Sequence, residues 1–222
     1  MALVAEAATI GRVIPVWRSK LLKSLAQNKR LANSRYVQLA TVRPDNRPAN
    51  RTVVYRGFLS DEDDSLTFVT DSRSRKVGEV AANPAAEVAW YFPETREQYR
   101  ISGNLTIVDA GSTDSAMQAA RKRVWHNMSD PGRQQFAWPH PGLPRHLEDP
   151  KAWDGPAPGP NDPVLDTFCL VVLHVDEVEQ LKLKSNERFL YRRQAAAAGA
   201  GGQAEEATAQ GAVTWVEEPI NP

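Results

Sequence analysis

From Tyr36 onward the sequence is a succession of short β-prone runs, each closed by a turn signal, and that rhythm restricts the fold more than any other feature. Tyr36-Val37-Gln38-Leu39-Ala40-Thr41-Val42 runs into Arg43-Pro44-Asp45-Asn46-Arg47-Pro48, a strong turn. Further strands are expected from about Ala49 to Phe58, Ser65 to Thr70, Glu87 to Phe92 and Gln98 to Val108. Val164 to Val175 reads as a continuous apolar strand, Glu179 to Leu183 as a shorter alternating one, Arg188 to Arg193 as another, and Val213 to Val216 as a closing strand. Helical spacing appears in three places. Trp17 to Leu31 places Trp17, Leu21, Leu22, Leu25 and Leu31 at helical intervals; Ser74 to Ala82 stops at Asn83-Pro84; Thr113 to Trp125 is expected to be capped by Ser112 or Thr113. Short strands with few helices predict a mainly β fold, a β-barrel with helical decoration.

The 222 residues suffice for one domain with a sizeable core, and no central linker divides them, so residues 1–222 are read as a single domain. Two stretches break the pattern. Residues 129–163 are rich in proline, tryptophan and glycine with little periodicity, and a segment that long without regular structure is usually functional or mobile. Residues 194–212 are rich in alanine and glycine and read as a flexible loop. The acidic run Asp61-Glu62-Asp63-Asp64 is expected at a solvated hairpin tip.

Basic and acidic side chains balance at 27 each, so no global attraction to nucleic acid is expected and an anion site must come from local clustering. The lone cysteine, Cys169, excludes an intrachain disulfide and reads as a small buried hydrophobe, which fits a reducing, cytoplasmic setting. No apolar run reaches the roughly 20 residues of a membrane span, and Met1 to Gly11 lacks the pattern of a secretory signal. The glycine signatures of dinucleotide and nucleotide triphosphate sites, the H-E-x-x-H of zinc proteases and the Gly-x-Ser-x-Gly of α/β-hydrolases are all missing. His126, His140, His146 and His174 have no ligand-like spacing, and no metal is expected.

Three basic segments carry the functional signal. Arg51-Thr52-Val53-Val54-Tyr55-Arg56 is a strand bearing arginines. Val69-Thr70-Asp71-Ser72-Arg73-Ser74-Arg75-Lys76 is a strand end, a turn and a helix start. Asn186-Glu187-Arg188-Phe189-Leu190-Tyr191-Arg192-Arg193 lies near the C-terminus. Guanidinium forks, hydroxyls and free helix-start amides together suit a phosphate dianion. Arg51 and Arg56 are five residues apart, so in a regular strand they face opposite sides. Both reach one ligand only if the strand bulges or Arg56 lies beyond its end; otherwise Arg51 alone contacts the ligand.

In order and spacing these segments resemble the pyridoxamine 5′-phosphate oxidase family of flavoproteins, in its shorter, oxidase-like branch. The resemblance implies an FMN-binding split β-barrel of Greek-key type, working as a homodimer with FMN in a groove shared by two subunits. Arg51 to Arg56 resembles the family strand that lies along the flavin, which implies contacts from Arg51, Thr52, Val53 and Val54, with Arg56 reaching toward substrate. Val69-Thr70 resembles the family's Tyr-Thr pair, and Ser74-Arg75-Lys76 its phosphate-gripping Ser-Arg-Lys. Gln98, five residues before Gly103, resembles the flavin-ring glutamine. Arg188 resembles the first arginine of the C-terminal signature, where a guanidinium would stabilise negative charge on the reduced ring as a catalytic group. Trp215 and Ile220-Asn221-Pro222 resemble the family's closing tryptophan and terminal proline.

The departures concern substrate. Where the family holds substrate with an arginine and a histidine, this chain has Lys184 and Asn186. Lysine cannot reproduce an arginine fork, and asparagine does not titrate near neutral pH. The family's tyrosine, arginine and serine for the substrate phosphate are unmatched at Trp125 to Gln135. Trp125, Trp138 and Trp153 fit either an aromatic ligand or a packing role. The resemblance therefore implies hydride transfer from a small substrate to FMN with reoxidation by oxygen, a B6 vitamer phosphate being one such substrate, which would place the chain in vitamin B6 metabolism. An FMN carrier or sensor without turnover is the alternative, and a barrel that binds no flavin is a third.

Overall fold

The computed structural model describes residues 14–145, 148–194 and 214–222. Met1 to Gly11, His146 and the Ala/Gly-rich stretch after Gln194 lie outside the described residues. Nine strands form one antiparallel sheet: β1 (Tyr36–Val42), β2 (Pro48–Val54), β3 (Gly57–Ser60), β4 (Asp63–Asp71), β5 (Ala85–Phe92), β6 (Glu97–Val108), β7 (Phe168–Lys182), β8 (Glu187–Gln194) and β9 (Thr214–Ile220). The helices are α1 (Val16–Gln27), α2 (Arg75–Ala82), α3 (Ser115–His126) and α4 (Asp130–Gln134), the last running into a 3-10 turn, Gln135–Ala137. The spatial order is β2-β1-β5-β6-β7-β4-β3, with β8 paired to β7 and β9 to β8. The chain thus adopts the mainly β fold with few helices that the succession of short strands predicts.

β7 is where the sheet divides. Its first half pairs with β4, from Phe168 to Leu173; its second half pairs with β8, from Glu177 to Lys182; β6 runs beside both. The two strands expected at Val164–Val175 and Glu179–Leu183 are thus one, and the interruption is a bulge. Ser102 pairs with Glu177 and Gly103 with Val175, which leaves Asp176 as the extra residue. A Cβ on Gly103 would lie 1.9 Å from the His174 carbonyl oxygen, so only glycine fits there.

Alternation along β7 feeds two cores. Val171, Leu173 and Val175 enter the barrel with Val37, Leu39, Phe68, Val88, Trp90 and Ile101, and α1 closes one end with Trp17 and Leu21. Leu170 and Val172 face the other way, under Ala120, Val124 and Trp125 of α3 and Phe136 of the 3-10 turn. Burial on both faces explains why this stretch reads as continuously apolar. Cys169 is buried there, and burial pushes its thiol up to about 11, so it is inert as a nucleophile.

Three local expectations are corrected. α3 is capped by Asp114, whose Oδ1 accepts from the Ala116 and Met117 amides, and not by Ser112 or Thr113. The acidic hairpin tip is not simply solvated. Arg18 of α1, only 5 % exposed, donates to the Ser60, Asp61 and Asp63 carbonyls at 3.1, 3.2 and 2.9 Å and to Asp64 Oδ1 at 3.0 Å. The sequence showed four like charges but not the cation packed beneath them. Finally, the strand expected from Ala49 to Phe58 breaks after Val54, and Gly57 at φ +123° restarts the chain as β3. Among the described residues no helix is long and apolar enough to cross a membrane.

Candidate functional site

The break after Val54 builds the site. Within β2, Arg51 pairs with Leu39 of β1, and its guanidinium turns to the end of the barrel covered by α2. There it donates to Thr41 Oγ1 at 2.6 Å and to Glu79 Oε2 at 2.5 Å, while Thr41 donates to the same Glu79 oxygen at 2.6 Å. Burial alone would raise the Glu79 pKa; the bonds from Thr41 and Arg51 outweigh it and hold the carboxyl below its usual range. Beyond the strand, the Arg56 amide donates to the Thr67 carbonyl of β4 at 2.9 Å, and the side chain reaches the cleft that Arg51 lines. The parity difficulty is resolved by the strand ending, since alternation no longer applies to Arg56. Its Nε is buried with no hydrogen-bond partner, and burial followed by the nearby Arg35 charge lowers its pKa.

The second segment supplies the facing edge. β4 ends at Asp71, and Ser74 is the N-cap residue of α2, but its hydroxyl does not cap the helix. Ser74 Oγ lies 2.9 Å from Thr70 Oγ1, and Lys76 Nζ donates to both hydroxyls, at 2.7 Å to Thr70 and 3.1 Å to Ser74. The Lys76 ammonium is thus ringed by hydroxyls, and burial followed by the Arg51 charge lowers its pKa. Among the described residues it has no carboxylate in ion-pair range. The first amides of α2 lie beside it.

These groups line one cleft of about 530 Å³. Arg51, Thr52, Val53, Val54 and Arg56 form one side; Val69, Thr70, Asp71, Ser74 and Lys76 the next. The opposing wall comes from the proline- and tryptophan-rich segment, including Phe136, Trp138, His140, Arg145, Glu148 and Trp153. The tryptophans divide between the two expected roles. Trp125 is fully buried in the α3 core, while Trp138 and Trp153 line the cleft. Among the described residues no group of three or more His, Cys, Asp and Glu side chains could hold a metal.

Five expected site residues lie elsewhere in the chain. Arg75 occupies the first turn of α2, exposed and off the cleft lining. Gln98 and Arg188 stand on β6 and β8, each paired with Leu181, and Arg188 is bound to Glu179 at 2.6 Å. Lys184 Nζ donates to the Glu94 carbonyl at 3.0 Å and lines a separate hollow with Lys20, Lys23 and Lys182. Asn186 sits in the β7–β8 turn at φ +54°. Conversely, sequence reasoning missed Asp71, Glu79, Arg145, Glu148 and the bond from Arg73 to the Trp138 carbonyl at 3.0 Å. Glu79 had a signal, a carboxylate on the face of α2 that must pack inward. The others had none: the Arg73 bond reaches a carbonyl 65 residues on, and the aperiodic segment that carries Arg145 and Glu148 gives no spacing from which to read their facing.

Comparison with known proteins places the chain among FMN-binding proteins. A family model described as pyridoxamine 5′-phosphate oxidase, FMN-binding domain, matches residues 14–109. Pyridoxine/pyridoxamine 5′-phosphate oxidase 2 of Arabidopsis thaliana is 34% identical over 221 residues, covering 96% of this chain and 100% of the relative. The crystal structure of a pyridoxamine 5′-phosphate oxidase-related, FMN binding protein from Nostoc punctiforme superposes with a TM-score of 0.81 at 38% identity, covering 95% of this chain and 100% of the other. PhzG from Burkholderia lata, at 19% identity and a TM-score of 0.66 over 100% of this chain and 98% of the other, shares the fold.

Proposed function

The chain belongs to the pyridoxamine 5′-phosphate oxidase family of FMN-binding proteins, and from that premise we propose that it is an FMN-dependent oxidoreductase acting on a small substrate, with a B6 vitamer phosphate as the first candidate. FMN is the family's cofactor. The observation that carries the reading is the Lys76 cluster. A desolvated ammonium, two hydroxyls and the open start of a helix converge, with no carboxylate among the described residues in ion-pair range of the ammonium, at one end of a cleft walled by the Arg51–Val54 strand. A phosphate monoester carries close to two negative charges and several acceptor oxygens and satisfies all of these groups.

In this reading Thr70, Ser74 and Lys76 hold the phosphate, with Arg75 swinging in from the helix start. Thr52, Val53, Val54 and Val69 line the ribityl chain and ring, and Arg51 anchors that edge through Glu79. Arg56 faces substrate. When bound, FMN supplies a ring that accepts a hydride from the substrate carbon and passes the electrons to oxygen, giving hydrogen peroxide. The chain's part is to orient the ring, exclude water and place positive charge where negative charge develops.

Gln98 and Arg188 enter through a second copy. Tyr91, Gln98, Leu181 and Arg188 form a cross-strand row on the sheet face that points away from the barrel interior. Tyr91 is 47% exposed there. A homodimer joined on this face would deliver Gln98 and Arg188 to the partner's cleft, where Arg188 is the proposed catalytic cation. Lys184 and Asn186 would accompany it toward substrate.

A specific observation favours the second reading, an FMN carrier or sensor without turnover. Lys184 is tied to the Glu94 carbonyl and Asn186 is fixed in a tight turn, so neither reproduces an arginine and histidine pair. Anaerobic mixing of the yellow protein with pyridoxamine or pyridoxine 5′-phosphate separates the two. Bleaching of the flavin, and peroxide on admitting air, is the expected result; a flavin that stays oxidised with both compounds selects the carrier. A colourless protein that ignores added FMN removes both.

A further inference from the structure

The wall opposite Arg56 is made of residues that belong to none of the three basic segments. Two contacts show how it is held. Asp71 Oδ1 accepts from the Arg73 amide at 2.8 Å and from Arg73 Nε at 2.9 Å, and Asp71 Oδ2 accepts from the same guanidinium at 2.7 Å. The pair fixes the fork, raises the Arg73 pKa through that bond, and aims the remaining donor at the Trp138 carbonyl, 3.0 Å away and 65 residues later. Further along, the Arg145 guanidinium lies 4.1 Å from the centroid of the Trp153 ring. Both line the cleft. A guanidinium laid on an indole face is held in orientation with its N–H edge still free for an anion. Among the described residues Arg145 has no carboxylate in ion-pair range.

We propose that this wall is the substrate-recognising element, in which Arg145, stacked on Trp153, binds the phosphate of a phosphorylated substrate across the cleft from Arg56, and Arg73 is the positioning residue that latches the wall to the turn before α2. The proposal rests on the flavin reading above and adds to it the group that takes the substrate's charged end. The geometry supports it in three ways. The cleft's cations outnumber its anions, since Arg51, Arg56, Lys76 and Arg145 face only Asp71 and Glu148. Of these, Asp71 is already held by Arg73 and Arg51 by Glu79. Lys76 and the α2 start account for one phosphate, which leaves Arg56, with its unpartnered Nε, and Arg145 for a second anion. Indole and guanidinium side by side also suit a flat ring carrying a phosphate arm.

The test uses the holoprotein and two probes that cannot be oxidised at the reacting carbon, 4-deoxypyridoxine 5′-phosphate and 4-deoxypyridoxine, each titrated while the flavin absorbance is followed. The expected result is a preference of about 10- to 100-fold for the phosphorylated probe. Arg145→Ala should abolish that preference, Arg145→Lys should keep part of it, and all three proteins should hold FMN equally. Arg73→Gln should weaken the phosphorylated probe with FMN content unchanged. Equal affinity for both probes, binding of neither, or a preference that survives Arg145→Ala overturns the proposal. So does loss of FMN with Arg145→Ala, which would place that residue at the cofactor. A yellow protein without phosphate preference sinks this inference alone, whereas a protein that never takes up FMN sinks the flavin reading with it.

Discussion

Arg121 and Arg133, beneath the α3 side of the sheet, carry the same charge as Arg56 at the cleft but stand in a different state of satisfaction. Arg121 is 4% exposed and donates to the Phe168 carbonyl at 2.9 Å and the Leu165 carbonyl at 2.7 Å. Arg133 is 1% exposed; it donates to the Pro158 carbonyl at 2.7 Å and closely to the Met128 carbonyl and Asp130. These two tie the irregular segment to α3, α4 and β7, and little capacity is left for a ligand. Arg56 has a buried Nε with no acceptor, and Lys76 is ringed by neutral hydroxyls. Cations saturated by carbonyls secure the fold, and cations left short of acceptors mark where an anion goes.

Arg121→Met removes both charge-assisted bonds, taking the guanidinium donor from the Phe168 carbonyl and leaving the Leu165 carbonyl only the Phe168 amide, so unfolding in urea should show a loss of roughly 2–5 kcal/mol with the slope unchanged. FMN affinity of the folded protein should hold; a protein of full stability would show that satisfaction does not separate the two classes. Lys76→Ala should do the reverse. FMN affinity, read by flavin fluorescence, should fall by about 1.5–3 kcal/mol, on the order of 10- to 150-fold, while the apoprotein's unfolding free energy is not reduced. Arg75→Ala should cost about 1 kcal/mol of FMN affinity and more than Arg73→Ala; equal effects would discredit the phosphate assignment at the α2 start.

Burial and Arg51 lower the Lys76 pKa in the empty cleft, whereas a bound dianion would favour the charged form. Below the lowered pKa the ammonium is charged with or without FMN, and affinity is insensitive to this group. Above it, binding must take up a proton, so affinity should decline by up to about tenfold per pH unit, starting below the usual lysine range. Lys76→Arg should move that decline beyond the accessible range. The linked effect on the apoprotein has the opposite sign: the unfolded chain binds the proton more tightly, so stability rises as pH climbs from the lowered pKa toward the ordinary one.

Most of the strands were legible because apolar alternation and turn residues are local. The site was legible where it is local too. Arg51, Thr70, Ser74 and Lys76 fall into one cleft from two segments less than 30 residues apart. Legibility failed where one residue decides geometry. Nothing in Val53-Val54-Tyr55-Arg56-Gly57 announces that pairing ends at Val54, yet that ending brings Arg56 to Arg51's side. It failed again where partners are remote, as for Arg18 under the acidic tip and Arg73 on Trp138, and where no periodicity fixes facing, as for Arg145 beside Trp153. The positions of Gln98 and Arg188 on an outward face could not be read from spacing at all, since register across β6, β7 and β8 sets them.

The extra residue at Asp176 marks the one point in β7 where the ladder tolerates a change of length. Before it, odd-numbered residues of β7 enter the barrel, as Val171, Leu173 and Val175 do; after it, Val178 does, so the inward set becomes even-numbered. Deleting Asp176 itself would restore regular alternation and keep Glu177 opposite Ser102 and Val178 inward, whereas deleting Glu179 from the regular ladder that follows would turn Gln180 outward and Leu181 inward. Arg188, held opposite Leu181, would lose its outward station with them. Drift in chain length can therefore be absorbed between α4 and β7, where no ladder keeps count, and by loss of Asp176, but not within the regular ladder from Glu177 to Lys182, where one insertion or loss reverses the facing of every residue after it.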